Sequence, residues 1–414
     1  MKLSDTSKLK LIVVIASLTI FTAGSFSTLS GLLISQFQSS FGWPLTYTSF
    51  GVSLNMILYG LVAPFSIFLM DRYGIKNITY LALFLLAAGA SIALIPNPIV
   101  FNFAWGVLVG SGTGMLTMAY GAYIAQRYFR ENQGLPVGIM TASAVVGQFA
   151  LLPLWSHLAE SKAWFYPLAG CAIISFLAII MNIFSPITTN EKEKKLKQKN
   201  SISEVYFNLV YGLKSPTFWV ISLFFMICGA TTNGLMWSNF IPAAHDHGMH
   251  ATVASTILLI IGFSNIIGTL LTGWLTDKIN PKHILAAVFL FRAAVLFWLP
   301  FILNSNLDVN LITFAILFGI LDVATVPPVI TLCNKVFSDR GPALFSWTNA
   351  FHQIGAGAMA FLASYLRIRL GDYFVVWILA ASMCVLAILI VYLSKYDGYQ
   401  PEHTDNKNTT ETSP

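Results

Sequence analysis

Three ionisable residues lie deep inside apolar stretches of the sequence: Arg292, Asp322 and His352. Charged side chains are costly to bury in hydrocarbon, so such residues point to function by default. Asp322 could exchange a proton, Arg292 could bind an anionic group, and the imidazole of His352 could carry a proton near neutral pH. Each also has a structural interpretation: Arg292 and Asp322 could neutralise each other, and His352 could be a packed, hydrogen-bonded helix residue.

Uncharged polar residues supply the other candidates for a solute or proton site. The polar side chains at depth in the first half of the chain are Asn55, Tyr59, Tyr120, Tyr123 and Gln148. In the second half, Asn233 and Trp237 are expected to line a cavity. We therefore take Asn55, Tyr120, Asn233 and Trp237 as candidates beside the three ionisable residues.

The sequence indicates neither a metal site nor a cofactor. His245, Asp246, His247 and His250 have ligand chemistry that suits zinc, but they occupy a short, flexible stretch between two apolar runs. The four cysteines all fall inside apolar runs without paired spacing, which is typical of small packing residues. No nucleophile–base constellation lies at depth, so we do not expect an enzyme.

The elements that must position these residues follow from composition. Hydrophobic residues make up 56% of the 414 residues and charged residues only 10%. A soluble domain carries about 25% charged residues, so this chain cannot cover its surface for water and needs lipid around it. The net charge of +6 does not indicate a nucleic-acid partner, because the cations lie in short loops between apolar runs.

About 20 apolar residues are needed for a helix to cross the hydrocarbon core. The sequence predicts twelve such helices, at 11–37, 47–70, 78–95, 100–126, 134–157, 164–184, 216–242, 252–275, 283–303, 309–335, 342–366 and 371–394. This predicts an all-α integral membrane protein. Pro327 and Pro328 cannot continue the hydrogen-bond ladder of helix ten, so a kink is expected just beyond Asp322.

The distribution of lysine and arginine predicts the orientation. With twelve crossings, 19 of the 23 cations lie on the side of the chain termini or in the central loop, and three lie on the opposite side. The positive-inside rule then places both termini in the cytoplasm. We expect a multi-pass protein of the plasma membrane, here a bacterial inner membrane.

One long loop divides the chain. The predicted organisation is a six-helix bundle over 1–184, a cytoplasmic linker over 185–215, a second six-helix bundle over 216–398 and a disordered tail over 399–414. The lysine-rich part of the linker is expected to be solvated and to lie against anionic headgroups.

The two halves carry charged residues of the same type at a nearly constant sequence offset. Asp71-Arg72 follows helix two and Asp277-Lys278 follows helix eight, 206 residues later. Arg127 closes helix four, and Lys335 closes helix ten 208 residues later. This internal repeat indicates two related bundles with a solute site between them at mid-depth.

These residues resemble the signature of the major facilitator superfamily, Gly-x-x-x-Asp-Arg/Lys-x-Gly-x-Arg/Lys, which follows helices two and eight. The second copy runs from Gly273 through Asp277 and Lys278 to Lys282; the first runs from Ile67 through Asp71 and Arg72 to Lys76, with Ile67 in place of the leading glycine. The resemblance implies two pseudo-symmetric six-helix bundles that rock around a central site.

Within that superfamily, the first half is similar to the group of monocarboxylate porters and oxalate–formate antiporters. The likeness rests on Phe41-Gly42-Trp43, on the stretch from Tyr59 to Pro64, and on the stretch from Arg127 to Gly138. Helix eight, however, lacks the acidic–basic pair of the monocarboxylate group, and helix eleven has His352 where the antiporters have a lysine.

The resemblance also implies a cytoplasmic gate. Asp71 would face the start of helix eleven near Pro342, with Arg127 pairing nearby, and the second half would mirror this arrangement. The expected gate residues are Asp71, Arg72, Arg127, Asp277, Lys278 and Lys335. A carboxylate is stabilised at a helix N-terminus, so these contacts would hold one side of the bundle shut.

These observations predict a monomeric secondary transporter that works by alternating access in the lipid bilayer. The preferred solute is a small organic anion of monocarboxylate type, coupled to protons through Asp322 or His352. One alternative is an importer or exporter of drugs or iron chelators (siderophores), which the aromatic content and uncharged first half favour. Another is a membrane sensor that binds a solute without transporting it.

Overall fold

A computed structural model describes residues 5–129, 134–161, 163–187, 202–276 and 278–393, and these contain helices but no strand. Eleven helical stretches in them are long and apolar enough to cross a membrane. The longest, Val309–Leu370, has 62 residues, which at 1.5 Å per residue would be about three times the hydrocarbon thickness. The 3₁₀ turn Ser338–Arg340 divides it into two crossings.

The described residues therefore contain twelve transmembrane segments, and their first six and last six members form two bundles. In chain order the segments are Ser7–Phe41, Leu45–Tyr73, Ile75–Ile92, Pro98–Tyr128, Leu135–Ser161, Tyr166–Ile183, Pro216–Asp246, Ala251–Thr276, Pro281–Ile302, Val309–Asp322 continued by Val326–Phe337, Gly341–Leu370 and Phe374–Tyr392. The predicted fold class is confirmed. We call the end where segment 1 begins and segment 12 finishes the terminal end, and the opposite end the distal end.

The predicted interruption of segment 10 is present. Its first helix ends at Asp322 and the second begins at Val326. Pro327 and Pro328 have no N–H group to donate to the carbonyl oxygens of Val323 and Ala324, so the helix does not continue through the break. The last carbonyl oxygens before the break, at the end of the first helix, then have no partners in their own helix. The break therefore leaves polar backbone groups in the interior of the protein beside Asp322.

Segment 1 contains a break that the sequence did not predict. One helix ends at Gly24 and the next begins at Leu29. The Thr28 hydroxyl donates a hydrogen bond to the Gln148 carbonyl oxygen of segment 5. Phe26 and Ser27 lie in this turn, and the ring of Phe26 packs on Trp105 of segment 4.

Segments 2 and 11 join the two bundles along their length. A Cβ atom on Gly60 would lie 2.6 Å from Cβ of Gln353, so only glycine permits this approach. Toward the terminal end, the rings of Phe65 and Trp347 meet with centroids 5.6 Å apart. At the distal end, the hydroxyls of Ser49 and Ser364 are hydrogen-bonded at 2.5 Å.

Part of the predicted linker is a helix, Ile202–Leu213, and the guanidinium of Arg340 lies 4.4 Å from the ring centroid of its Tyr211. Residues 188–201 of that linker and the predicted tail over 399–414 lie outside the described residues. The domain boundaries therefore stay predictions.

Candidate functional site

A cavity of about 50 Å³ lies where the two bundles face each other. Segments 1, 2, 4, 5, 7 and 11 supply its walls. The lining residues are Phe26, Ser27, Asn55, Met56, Tyr59, Thr113, Gln148, Asn233, Trp237 and Gln353. Both halves contribute, as expected for a solute site between related bundles.

Local irregularities in the helices bring several of these residues to the cavity. The break in segment 1 presents Phe26 and Ser27. In segment 7, residues Ala230–Trp237 form a π-helix, which contains Asn233 and ends at Trp237. Single π-helical turns are rare and often mark functional sites.

The cavity wall is polar but uncharged. Asn55 is fixed by an N–H bond from its Nδ2 to the Trp105 carbonyl oxygen at 2.8 Å, which leaves its Oδ1 as an acceptor. Gln148 and Gln353 add carboxamides from opposite halves, and Tyr59 adds a hydroxyl. Of the predicted candidates, Asn55, Asn233 and Trp237 line the cavity.

Gln353 lines the cavity but was not predicted from the sequence, whereas its neighbour His352 was. The sequence spacing shows only that Gln353 and Gly357, four positions apart, share a face of segment 11; the structure shows that this face meets segment 2, where Gly357 approaches Ser53. That places Gln353 on the face of segment 11 turned toward the first half.

Asp322 lies directly behind the cavity wall. Its carboxylate Oδ2 accepts hydrogen bonds from Trp237 Nε1 at 3.1 Å and from Asn265 Nδ2 at 3.2 Å. Its Oδ1 is buried without a hydrogen-bond partner. Because Trp237 lines the cavity, a single hydrogen bond separates the acid from the solute space.

Arg292 bonds to the backbone of segment 10 and not to the Asp322 carboxylate, so the two side chains do not form the ion pair that was one of the two interpretations from the sequence. Arg292 also does not line the cavity. Its Nη2 donates to the backbone carbonyl oxygens of Leu321 and Asp322, the latter at 2.8 Å, while Nη1 donates to Cys228 Sγ at 3.1 Å. These carbonyls belong to the helix end that the prolines of segment 10 leave open. A cation is stabilised at a helix C-terminus, so the fully buried Arg292 caps the broken helix.

His352 lies one layer away from the cavity. Its ring packs on Phe225 with centroids 4.5 Å apart, and its backbone carbonyl packs against Gly229. Its Nδ1 is buried without a hydrogen-bond partner. The expected hydrogen bond of a structural histidine is therefore missing at this nitrogen, and the residue does not touch the solute space.

Tyr120 is buried in the first bundle rather than exposed to the cavity. Its hydroxyl lies 3.0 Å from the Thr79 hydroxyl of segment 3 and is hydrogen-bonded to it. This contact joins segments 3 and 4, so the geometry favours a packing role.

The predicted gate residues lie at the terminal end. The Tyr123 hydroxyl donates to Oδ1 of Asp71, which links segments 2 and 4. The guanidinium of Arg72 lies 5.6 Å from the ring centroid of Tyr73, and Lys278 Nζ lies 3.8 Å from that of Trp274. Arg127 and Lys335 occupy the last turns of their helices, whereas Asp277 lies outside the described residues.

The histidine-rich stretch between segments 7 and 8 is used for contacts between helices. Both carboxylate oxygens of Asp246 accept from Arg367 of segment 11, at 2.9 and 2.8 Å. His250 Nδ1 lies 3.8 Å from a carboxylate oxygen of Glu160. Within the described ranges, no group of three or more histidine, cysteine or acidic residues could hold a metal ion.

Comparison with known proteins gives one consistent result. A family model of the Major Facilitator Superfamily matches residues 15–344 and residues 227–413. The chain is 23% identical over 372 residues to the MFS-type transporter YcxA of Bacillus subtilis, covering 86% of this chain and 88% of that one. It is 24% identical over 340 residues to the sialic acid transporter NanX of Escherichia coli, covering 78% of each.

Two further matches concern one region and the fold. Monocarboxylate transporter 9 of Mus musculus is 30% identical over 175 residues, which is 42% of this chain and 33% of that protein; this agrees with the predicted resemblance to the monocarboxylate group. A solved D-xylose–proton symporter has a TM-score of 0.75 at 16% identity and covers 95% of this chain and 100% of that one. That likeness concerns the fold alone.

Proposed function

The chain belongs to the major facilitator superfamily, and from that premise we propose that it carries a small organic acid together with a proton. The family itself makes it a multi-pass membrane transporter with an alternating-access fold, not an enzyme. The proposal concerns what is carried and what drives it.

The observation that carries the proposal is the position of Asp322, one hydrogen bond behind the cavity wall and beside Arg292. When Asp322 is ionised, its charge and that of Arg292 balance. When it takes up a proton at the unpartnered Oδ1, the charge of Arg292 is left without a counterion close to the cavity. Because charges interact strongly in a weakly polar interior, an anion would then bind more tightly.

The surroundings of Asp322 support this role. Around the acid, segment 9 contributes the Arg292 guanidinium, segment 7 the Cys228 thiol and the Trp237 indole, and segment 8 the neutral Asn265. A proton on Asp322 therefore changes the net charge of the group by one. One proton and one monovalent anion would cross together without net charge.

The size of the cavity favours a small solute. The cavity holds about 50 Å³ of space for water-sized molecules, well below the roughly 300–1,000 Å³ of drug-sized ligand pockets. Drugs and iron chelators of larger size would require a wider cavity. The carboxamides of Asn55, Asn233 and Gln353 and the Tyr59 hydroxyl supply the directional contacts that a small acid needs.

The proposal extends to orientation and assembly. The excess of lysine and arginine on the terminal side supports cytoplasmic termini in a bacterial inner membrane. The two bundles of a single chain together form the cavity, which supports a monomer as the transporting unit. The distal end then faces outward, and the natural proton gradient drives uptake.

The test measures uptake of radiolabelled lactate and pyruvate into proteoliposomes, with and without a proton gradient. We expect accumulation only with the gradient, and we expect Asp322→Asn to abolish accumulation while exchange of internal for external lactate continues. Asp372→Asn, which removes an acid from the loop before segment 12, is the matched control and should accumulate normally. Uptake that is the same with and without the proton gradient would refute the proposal. Normal accumulation of lactate by Asp322→Asn would also refute it.

A second candidate is a neutral polar solute, because none of the described residues that line the cavity is charged. Carboxamides both donate and accept hydrogen bonds and therefore suit hydroxyl-rich compounds. A thermal-shift screen of purified protein separates the candidates, since a bound solute raises the melting temperature. Stabilisation by sugars but by no organic acid would favour this alternative.

A further inference from the structure

The indole of Trp237 contacts both the acid and the solute space. Its Nε1 donates to Asp322 Oδ2 at 3.1 Å, while its ring lines the cavity. On its other side, the ring meets Phe149 of the first half edge-on, with centroids 5.5 Å apart and planes at 88°. No other residue lining the cavity bonds to Asp322 in the described part of the chain.

We infer that Trp237 is the positioning residue that couples the charge of Asp322 to the occupancy of the cavity and to the fit of the two halves. The inference rests on the proposed function, because it assumes that Asp322 exchanges a proton. Trp237 acts through Asp322 and the solute and does not itself carry the proton.

The coupling follows from the strength of the hydrogen bond. An N–H bond to an ionised carboxylate is about twice as strong as one to a neutral acceptor. While Asp322 is ionised, the indole is held back against it. A proton at Oδ1 weakens the bond at Oδ2, and the ring is then free to move against the solute and against Phe149.

The backbone around Trp237 is suited to such movement. The π-helix Ala230–Trp237 ends at this residue, and the Ser238 hydroxyl donates to the carbonyl oxygen of Asn233 at 2.9 Å. The Trp237 carbonyl oxygen packs on Gly31 of segment 1, where a Cβ atom would approach it to 2.9 Å. A shift of the indole therefore changes its contact with Phe149 of segment 5, and a shift of the Trp237 backbone would change the contact with Gly31 of segment 1.

Asn265 provides a matched comparison. It donates to the same Oδ2 atom, at 3.2 Å, but it does not line the cavity. Trp237→Phe and Asn265→Ala each remove one donor from Asp322. If the acid needs only its donors, the two variants behave alike; if coupling passes through the indole, they differ.

The experiment measures the proton-to-lactate ratio and the gradient-driven accumulation of lactate in proteoliposomes, with lactate exchange as a second readout. We expect Trp237→Phe to lose accumulation at least tenfold while exchange stays within about threefold of wild type, and Asn265→Ala to keep the wild-type ratio. Trp377→Phe controls for the substitution itself, because the buried Trp377 Nε1 has no hydrogen-bond partner. Trp237→Tyr is the second variant, for the case that Trp237→Phe does not fold. Its hydroxyl lies at the tip of the ring, so it does not replace the hydrogen bond from the indole N–H to Asp322.

Three outcomes would overturn the inference: a wild-type ratio in a folded Trp237 variant, equal losses in Trp237→Phe and Asn265→Ala, or loss of lactate exchange together with accumulation. The first two leave the proposed function intact if Asp322→Asn still abolishes accumulation. If Asp322→Asn accumulates lactate normally, the proposed function fails first. The two failures are therefore distinguishable.

A second inference rests on a separate contact at the distal end. Glu160, near the end of segment 5, accepts hydrogen bonds from the backbone N–H groups of Ala251 and Thr252 at 2.6 and 3.2 Å and from the Thr252 hydroxyl at 2.7 Å. Ala251 is the first residue of the helix of segment 8. Segments 5 and 8 belong to different halves, so the acid of one half caps a helix of the other.

We propose that the Glu160 carboxylate is the latch that holds the distal end closed. First-turn N–H groups have no helical partner, and a negative charge is stabilised beside them. Opening the cavity at the distal end separates segments 5 and 8 and breaks all three bonds together. The contact of Ser49 with Ser364, which also joins the halves at the distal end, is a single neutral bond and holds less tightly.

The test measures the distance between spin labels at His157 in the first half and Ser305 in the second, in lipid nanodiscs. We expect Glu160→Gln to add a longer-distance population that wild type lacks. Asp246→Asn is the matched control, because it breaks a distal acid contact with Arg367 inside one half. Unchanged distances in Glu160→Gln, or equal lengthening in Asp246→Asn, would refute the latch; Glu160→Asp serves if the glutamine variant does not fold.

Discussion

The two halves of the molecule handle buried polarity differently. In the described part of the first half, the fully buried polar side chains are neutral, and some bond to one another, as with Tyr120 and Thr79 at 3.0 Å and Asn182 and Thr19 at 2.9 Å. The second half buries a cation and an acid, Arg292 and Asp322, at 0% and 1% exposure. Neutral hydrogen bonds do not respond to protons, whereas a buried acid does. Under the proposed function, the proton response would belong to the second half, whereas both halves contribute side chains to the cavity.

The largest effect should come from Arg292→Met, because Arg292 is the buried cation that distinguishes the second half from the first. The change leaves the backbone carbonyls of Leu321 and Asp322 without their donor and removes the cation that balances the nearby Asp322 charge; the loss of one member of a buried ionic group costs about 3–5 kcal/mol. We expect loss of folded protein in size-exclusion chromatography and thermal unfolding. A melting temperature near that of wild type would show that Arg292 does not support segment 10.

The next effect concerns solute contacts in the first half. Asn55→Ala removes a fixed carboxamide from the cavity wall, so we expect the KM for lactate to rise about tenfold, or about 1.4 kcal/mol, while the proton-to-lactate ratio stays unchanged. Asn77→Ala, which loses an exposed bond to the Tyr73 carbonyl, is the control. A changed proton-to-lactate ratio in Asn55→Ala would show that the first half also takes part in proton coupling.

A smaller effect is expected for Tyr120→Phe. The variant loses one hydrogen bond between segments 3 and 4, which contributes about 1 kcal/mol to stability. Thermal unfolding should detect the loss, whereas lactate uptake should match wild type. Impaired uptake in a protein of normal stability would place Tyr120 in the transport path after all.

The smallest effect should follow from His352→Gln. The imidazole packs on Phe225 and does not reach the cavity, so its removal should leave the proton-to-lactate ratio at the wild-type value. The measurement is the same ratio in proteoliposomes at two external pH values. A ratio that falls would transfer the proton site from Asp322 to His352 and redefine which part of the second half responds to protons.

Much of the fold could be predicted because lipid leaves few alternatives. Backbone groups in hydrocarbon must bond within their own segment, so each long apolar run becomes a helix. The offset between Asp71 and Asp277 then revealed two halves. The break after Asp322 was also predictable, since prolines remove donors by covalent structure. The break at Gly24 was not, because Ser25 to Thr28 carry no such signal and the turn depends on contacts with segment 5.

The candidate site was predicted only in part. Asn55, Asn233 and Trp237 line the cavity, whereas Tyr120 and His352 lie behind other side chains. Periodicity identifies which residues share a face of one helix, but it does not tell which neighbouring helix that face meets. Gln353 and Glu160 gain their significance from partners far away in the sequence.

The sequence alone determined the class, the number of crossings and the duplication, because length, hydropathy and repeat offset act within each stretch of chain. Tertiary structure decided the partners of each buried group. It turned Arg292 toward the carbonyls of segment 10 and Asp322 toward Trp237, since a side chain satisfies its hydrogen bonds with whatever the packing of other helices brings within about 3 Å.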